Sequence, residues 1–306
     1  MAYGYKPVTK RNGQGRGGFT ALMKMNSIRL PQPARSVLPA MTMPLTRTET
    51  LDSEALRQRL ATDPHQAARI LLDAAREGLV PAQTLLGQIL LDGTGIERDP
   101  ALARTWFRIA AEGGDAMARN MLGRCLEQGW GGEVDLTAAA REYHLAMASG
   151  LDWGYYNYAA LLASGRGVEP DPAGAFQLYL KAAEMGHAKA MNFVGRFYDE
   201  GIGIAPSSEQ ARYWYQRSAE AGDFRGQFSH AAALADRGYL EEALRWLDKA
   251  LAGGNLNFLR ASRARLAQAP QPQIRALALP YHQRAAELGD DSDRRALADH
   301  VRNLLP

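Results

Sequence analysis

The 306-residue chain contains a single cysteine, Cys125. One cysteine excludes any intrachain disulfide and fits a reducing compartment, so we expect a cytoplasmic protein. The sequence also has no stretch of about 18 consecutive apolar residues, the length that a membrane-spanning helix needs. We therefore predict that no transmembrane helix is present.

Motifs typical of enzymes and metal sites are also missing from the sequence. The six histidines show neither H-x3-H nor H-E-x2-H spacing, and there is no Walker loop, nucleophile elbow or S-x2-K motif. Carboxylates are scattered, without the recurring close pair that acid–base catalysis would suggest. The sequence predicts a non-enzymatic protein with no catalytic residue, metal, cofactor or small-molecule substrate. An enzyme of unrecognised type stays open and would require a pocket with two or more convergent ionisable groups.

Negative charge is absent from the N-terminal segment. Residues 1–48 contain eight Lys or Arg and no Asp or Glu, which leaves 28 basic and 33 acidic residues for the rest of the chain. This segment is rich in Gly and Pro and lacks helical periodicity, so we predict a disordered basic leader over residues 1–47. An alternative function follows from its charge, in which the leader docks on nucleic acid or an anionic membrane.

The remainder of the sequence contains an internal repeat of 36 residues. Leu-Gly, or an equivalent apolar–small pair, recurs at this interval, and two glycines follow it in four copies. These glycine pairs are Gly93/Gly95, Gly129/Gly131, Gly165/Gly167 and Gly201/Gly203. A fixed period between about 20 and 50 residues is the signature of a stacked repeat protein.

Each copy has the pattern of two helices joined by a glycine-containing loop. A small residue in the first helix, such as Ala190, allows close helix packing, and glycine ends that helix. The second helix begins at an N-cap residue, and its inner face alternates small and bulky residues. The predicted caps are Asp63, Asp99, Asp135, Asp171 and Ser207, and the bulky residues are Phe107, Tyr143, Tyr179, Tyr215 and Leu247. Cys125 occupies an apolar repeat position, which predicts a buried thiol.

This pattern resembles the Sel-one-like repeat, a longer-looped relative of the tetratricopeptide repeat. The matching residues in one copy are Ala190, Gly195, Tyr198, Gly201, Gly203, Ile204, Ala211, Trp214, Tyr215, Ala219 and Gly222. The resemblance covers about residues 49–289. It implies an all-α, right-handed α/α superhelical solenoid of about six helix-turn-helix repeats with a C-terminal capping helix.

We expect the repeats to form one continuous domain over residues 48–306, which begins with a divergent helix pair and a first helix at 48–60. The 223–254 copy lacks the long loop, and prolines make the last copy irregular. The expected segments are an N-terminal pair at 48–78, repeats at 79–114, 115–150, 151–186, 187–222, 223–254 and 255–289, and a capping helix at 290–306.

The resemblance further implies a concave groove that is lined by the first helix of each pair and binds another protein or an extended peptide. Positions two before and one after the Leu-Gly pair point into this groove, with Trp153 at its edge. The candidate partner-binding residues are Asn120, Arg124, Trp153, Tyr156, Asn192, Arg196 and Phe228. Amide, guanidinium and aromatic groups suit peptide recognition, so we predict an adaptor. The alternative is that these are merely solvated helix residues.

Overall fold

The computed structural model describes residues 28–30, 49–51, 58 and 60–304. Strand β1 (Ile28–Leu30) pairs antiparallel with β2 (Glu49–Leu51). The predicted first helix at 48–60 is therefore wrong at its beginning, where β-branched Thr50 favours extended backbone. The predicted disorder is likewise corrected at Ile28–Leu30, and the rest of the 1–47 leader lies outside the described residues.

The described chain is helical from residue 64 onward, and its contacts divide it into two units, Met1–Leu151 and Asp152–Pro306. In the first unit the helices are α1 (Pro64–Arg76), α2 (Val80–Asp92), α3 (Pro100–Glu112), α4 (Ala116–Gln128) and α5 (Leu136–Ala148). In the second they are α6 (Asp152–Ser164), α7 (Pro172–Glu184), α8 (Ala188–Glu200), α9 (Ser208–Glu220), α10 (Phe224–Asp236), α11 (Leu240–Gly253), α12 (Leu256–Ala267), α13 (Pro272–Ala276), α14 (Ala278–Leu288) and α15 (Asp291–Leu304).

Consecutive helices pack against one another within each unit. In the first unit each helix contacts the next, from α1 to α5. In the second unit the same holds from α6 to α11, and the first helices α8 and α10 also touch. This succession of helix pairs confirms the predicted class, an all-α repeat solenoid.

Side-chain caps explain where the second helices begin. The Asp99 carboxylate accepts hydrogen bonds from the backbone amides of Ala101 and Leu102, at 3.0 and 2.9 Å. The predicted caps Asp63, Asp135, Asp171 and Ser207 accept equivalent bonds. These bonds satisfy amide groups that have no partner within the helix. The predicted starts of the second helices are confirmed.

The small residue after the apolar repeat position sets the distance between paired helices. A Cβ atom added at Gly195 would lie 2.5 Å from Cδ1 of Tyr215, and one added at Gly123 would lie 2.6 Å from Cε1 of Tyr143. Both distances are shorter than van der Waals contact allows, so glycine lets the aromatic ring of the second helix lie directly on the first. The predicted close approach is confirmed.

The C-terminal part of the second unit departs from the repeat, as predicted. Gly238 replaces the long loop between α10 and α11, and a short additional helix, α13, precedes α14. Helix α15 is attached through Asp293, which is fully buried and pairs with Arg260 and Arg263 of α12. Hydrogen bonds from Arg260 hold the pKa of the Asp293 carboxyl below its usual value.

Candidate protein-interaction face

The structure brings aromatic residues of α6, α7 and α8 together in the second unit. We call five of these residues the aromatic cluster, namely Trp153, Tyr156, Tyr179, His187 and Phe193. The His187 ring stacks on Tyr156, with centroids 4.7 Å apart, and meets Trp153 edge-on at 4.5 Å. Phe193 stacks on Tyr179 at 4.8 Å. Rings in such stacked and edge-to-face arrangements form a rigid surface of large contact area.

His187 is held in this cluster because it caps α8. Its Nδ1 atom accepts a hydrogen bond from the Ala190 amide at 3.1 Å, so the ring is neutral with its proton on Nε2. The corresponding positions of other repeats carry Asp115 and Asp223, which cap α4 and α10. Burial lowers the pKa of His187 to about 4, and the charge of Lys189 adds to this effect.

Two cationic side chains of α8 contact rings of the aromatic cluster. Nζ of Lys189 is 4.9 Å from the centre of the Trp153 ring. The Arg196 guanidinium is 5.6 Å from the Phe193 ring and pairs with Glu200 at 3.2 Å. The side chain of Arg196 is 41% exposed, so its charge is accessible from solvent. Partly exposed aromatic and cationic groups therefore alternate along the first helices of this unit.

The first unit has a smaller arrangement of the same kind on α4. The half-buried Arg124 lies with its guanidinium carbon 5.0 Å from the Trp130 ring, and its Nη1 is 3.6 Å from Sδ of Met121. Trp130 belongs to the loop that follows α4. A ring of this loop, Trp130, thus contacts a cation of the first helix, Arg124.

Three predicted contact residues are buried in the fold instead of facing solvent. Asn120, Asn192 and Phe228 are only 2%, 4% and 6% exposed. Phe228 lies against Phe258, at 5.7 Å between ring centres, and beneath the Arg265 guanidinium at 5.1 Å. The partly exposed candidates are therefore Arg124 in the first unit and Trp153, Tyr156 and Arg196 in the second.

Sequence reasoning missed three contributors to this face, namely Trp130, His187 and Phe193. His187 could have been found, since it is the one histidine at a repeat position that carries Asp115 and Asp223 elsewhere. Phe193 lies next to the predicted Asn192, but its ring contact with Tyr179 depends on how the helices pack. Trp130 lies in a loop, whose path the repeat pattern does not define.

The predicted buried thiol is confirmed. Cys125 is fully buried, and burial raises its pKa to about 11, so it stays protonated at neutral pH and is a poor nucleophile. Among residues 60–304, no group of three or more His, Cys, Asp or Glu side chains is placed to hold a metal ion. None of the described helices has both the length and the apolar character needed to span a bilayer.

The repeated helix pairs define the class of α/α repeat proteins. Comparison with known proteins identifies the family. The Sel1 repeat pattern matches residues 80–115, 116–150, 154–187, 188–223, 240–255 and 275–290. The chain therefore belongs to the Sel1 repeat family, whose members are generally non-catalytic scaffolds for protein interaction.

Many solved structures resemble this chain, among them the following two. One is c5321, a protective antigen of uropathogenic Escherichia coli with an SLR fold; the TM-score is 0.56 at 27% identity, over 81% of this chain and 56% of that one. The other is a Sel1 repeat protein from Oxalobacter formigenes, with a TM-score of 0.63 at 26% identity, over 76% of this chain and 95% of that one. The present chain thus spans little more than half of c5321. No curated protein matches it in sequence.

Proposed function

We propose that this protein is a non-enzymatic adaptor that binds another protein, through an extended segment, on the first-helix face of its repeats. We define this face in each unit separately, by Arg124 in the first unit and by Trp153, Tyr156, Lys189 and Arg196 in the second. Family membership supports the general role, because Sel1 repeat proteins are generally interaction scaffolds. The assignment to these residues is our own inference.

The observation that carries the proposal is the pairing of Lys189 with Trp153 beside the exposed Arg196. The Trp153 ring is held in place by His187 and is half-buried, so it offers rigid apolar area to a partner. Binding to such a preorganised ring orders few side chains and therefore costs little conformational entropy. Tryptophan, tyrosine and arginine also dominate the energetics of measured protein interfaces.

The cations on this face favour a partner segment that carries carboxylates. Arg196 already bonds Glu200, but both side chains are nearly half exposed, and an exposed pair of this kind is worth only about 0.3–0.5 kcal/mol. A partner carboxylate can therefore replace Glu200 at little cost. Guanidinium–carboxylate bonds with two parallel hydrogen bonds would then fix the orientation of the segment.

Affinity capture from a native lysate with the full chain tests this proposal. Arg124→Glu combined with Arg196→Glu should remove a captured protein selectively, since the charge reversal repels an acidic segment. The matched control is Arg108→Glu combined with Arg217→Glu, which makes the same change of charge on the second helices α3 and α9. Identical captures from all three proteins would place the working surface elsewhere. Circular dichroism would establish that the variants keep their helices.

A further inference from the structure

The second unit contains a cavity of about 130 Å³ beside α10, and it opens to solvent. Helix α10 contributes Ala231, Ala232 and Ala235 to its lining, while Leu266 of α12 and Ile274 of α13 complete the apolar surface. Leu266 and Ile274 are almost fully buried, so this surface is part of the folded core. The cavity is thus lined mainly by apolar side chains of the folded core, and also by Asp236, Arg265 and Gln271.

The repeat register explains why this space is empty. Ala232 stands where the preceding repeat has Arg196, and Ala235 stands where the first full repeat has the buried Leu91. Because alanine ends at Cβ, Ala232 and Ala235 leave this space unfilled, and Phe228 and Asp236 of the same helix line it. The short connection through Gly238 also removes the loop that carries Ile204 in the preceding repeat, where it packs on the core.

The lining also includes one cation, Arg265, whose side chain forms no ion pair with Asp236 of the same lining. Arg260 and Arg263 of the same helix pair with the buried Asp293. The side chain of Arg265, in contrast, forms no ion pair or hydrogen bond with any residue of the described chain, and its guanidinium lies on the Phe228 ring. The side chain of Arg265 is exposed, so its charge is both oriented by the ring and available to a partner.

We propose that this cavity binds a leucine or phenylalanine side chain of the partner peptide, and that Arg265 pairs with an Asp or Glu next to it. The proposal rests on the proposed function in assuming a protein partner. The size is suitable, since an apolar cavity of about 150 Å³ holds a benzene molecule. Asp236, which also lines the cavity, can accept a hydrogen bond from a backbone amide of the peptide.

The first test uses capped peptides and the full-length, ¹⁵N-labelled protein. Acetyl-Gly-Ser-Leu-Glu-Ser-Gly-amide, titrated to millimolar concentration, should shift the amide signals of residues that line the cavity. Replacing its leucine by serine should weaken binding by roughly tenfold or more, because the apolar side chain provides most of the free energy. Replacing its glutamate by glutamine should weaken it by a smaller factor, and less so at high salt.

The second test fills the cavity. Ala235→Leu should abolish the peptide-induced shifts while the melting temperature stays the same or rises, since the new side chain occupies empty apolar space. The matched control is Ala163→Leu, at the same repeat position of α6, which should leave the peptide affinity unchanged. Arg265→Glu should reverse the preference, so that a peptide with lysine in place of glutamate binds more tightly.

Two results would overturn the cavity assignment, namely equal affinity for the leucine and serine peptides, or unchanged affinity in Ala235→Leu. These outcomes are distinguishable from failure of the proposed function. If lysate capture depends on Arg124 and Arg196 but the peptides cause no shifts, the proposed interaction face is supported and the cavity site is refuted. If the peptides bind the cavity but the charge reversal leaves capture unchanged, the cavity site is supported and the proposed interaction face is refuted.

Discussion

The Tyr143 hydroxyl donates a hydrogen bond of 2.8 Å to Oε2 of Glu127, from the second helix of a repeat to the end of its first. The same spacing recurs two repeats later, where the Tyr215 hydroxyl donates to Oδ2 of Asp199 at 3.3 Å. In the repeat between them the acid position is Ala163, opposite Tyr179. The bond is therefore a feature of individual repeats, added to an apolar contact that all of them share.

Replacing Tyr143 by phenylalanine should lower the free energy of unfolding by about 1–2 kcal/mol, because the hydrogen bond from its hydroxyl to the partly buried Glu127 carboxylate is lost. Tyr179→Phe is the matched control. The Tyr179 hydroxyl makes no hydrogen bond to a described residue, so its removal should change stability by less than about 0.5 kcal/mol. Urea denaturation measures both values. Equal losses would show that the Tyr143 bond does not contribute.

Gly195→Leu should destabilise the fold by roughly 1–3 kcal/mol, because its side chain would collide with the Tyr215 ring and force the helix pair apart. Urea denaturation again measures the loss. Combining Gly195→Leu with Tyr215→Leu should recover part of it, since the smaller side chain leaves room for the new one. Normal stability of the single variant would contradict the packing of α8 on α9.

His187 should make the stability of the second unit sensitive to mild acid. Its pKa in the folded protein is about 4, below the unfolded value of 6.5, so the unfolded state binds the proton more tightly. The stability that depends on the neutral, buried ring is fully present above pH 6.5 and is lost as pH falls through the folded pKa of about 4, on the order of 3 kcal/mol in total. Nearby Asp152 favours the protonated ring and Lys189 disfavours it.

The His187→Asn variant isolates this contribution. Asparagine caps α12 as Asn255, so the variant should keep a capped α8, although it loses the ring contacts and some stability at pH 7. Its unfolding free energy should then fall less than that of the wild type between pH 7 and 4.5. Parallel pH profiles for the two proteins would mean that the imidazole does not titrate as described. Both proteins contain His230 and His282, so these two residues contribute equally to both pH profiles and do not affect their difference.

Most of the fold could be predicted from the sequence because the repeat is periodic. Caps such as Asp99 and glycines such as Gly195 act within one helix pair, and their consequences follow from local geometry. The strand pair at Ile28–Leu30 and Glu49–Leu51 was not predicted, since its partners lie about 20 residues apart and outside the period.

The candidate site was predicted less well, for a physical reason. Helical register gives the direction in which a side chain such as Asn192 leaves its helix, but not how closely the next helix approaches. Burial of Asn120, Asn192 and Phe228 therefore became visible only in the packed structure. The pairing of Lys189 with Trp153 could have been predicted from the sequence, because both residues directly precede the same small repeat position.

Site-specific photo-crosslinking tests the central claim, that the first-helix face binds a protein, most directly. A photoreactive amino acid would replace Arg196 or Arg124 on this face, or Arg217 or Arg108 on the second helices, in the full-length protein exposed to native lysate. We predict discrete crosslinked partner bands from positions 196 and 124 and none from positions 217 and 108. Crosslinks from the second-helix positions alone would contradict the account and move the binding surface to the opposite side of the helix pairs.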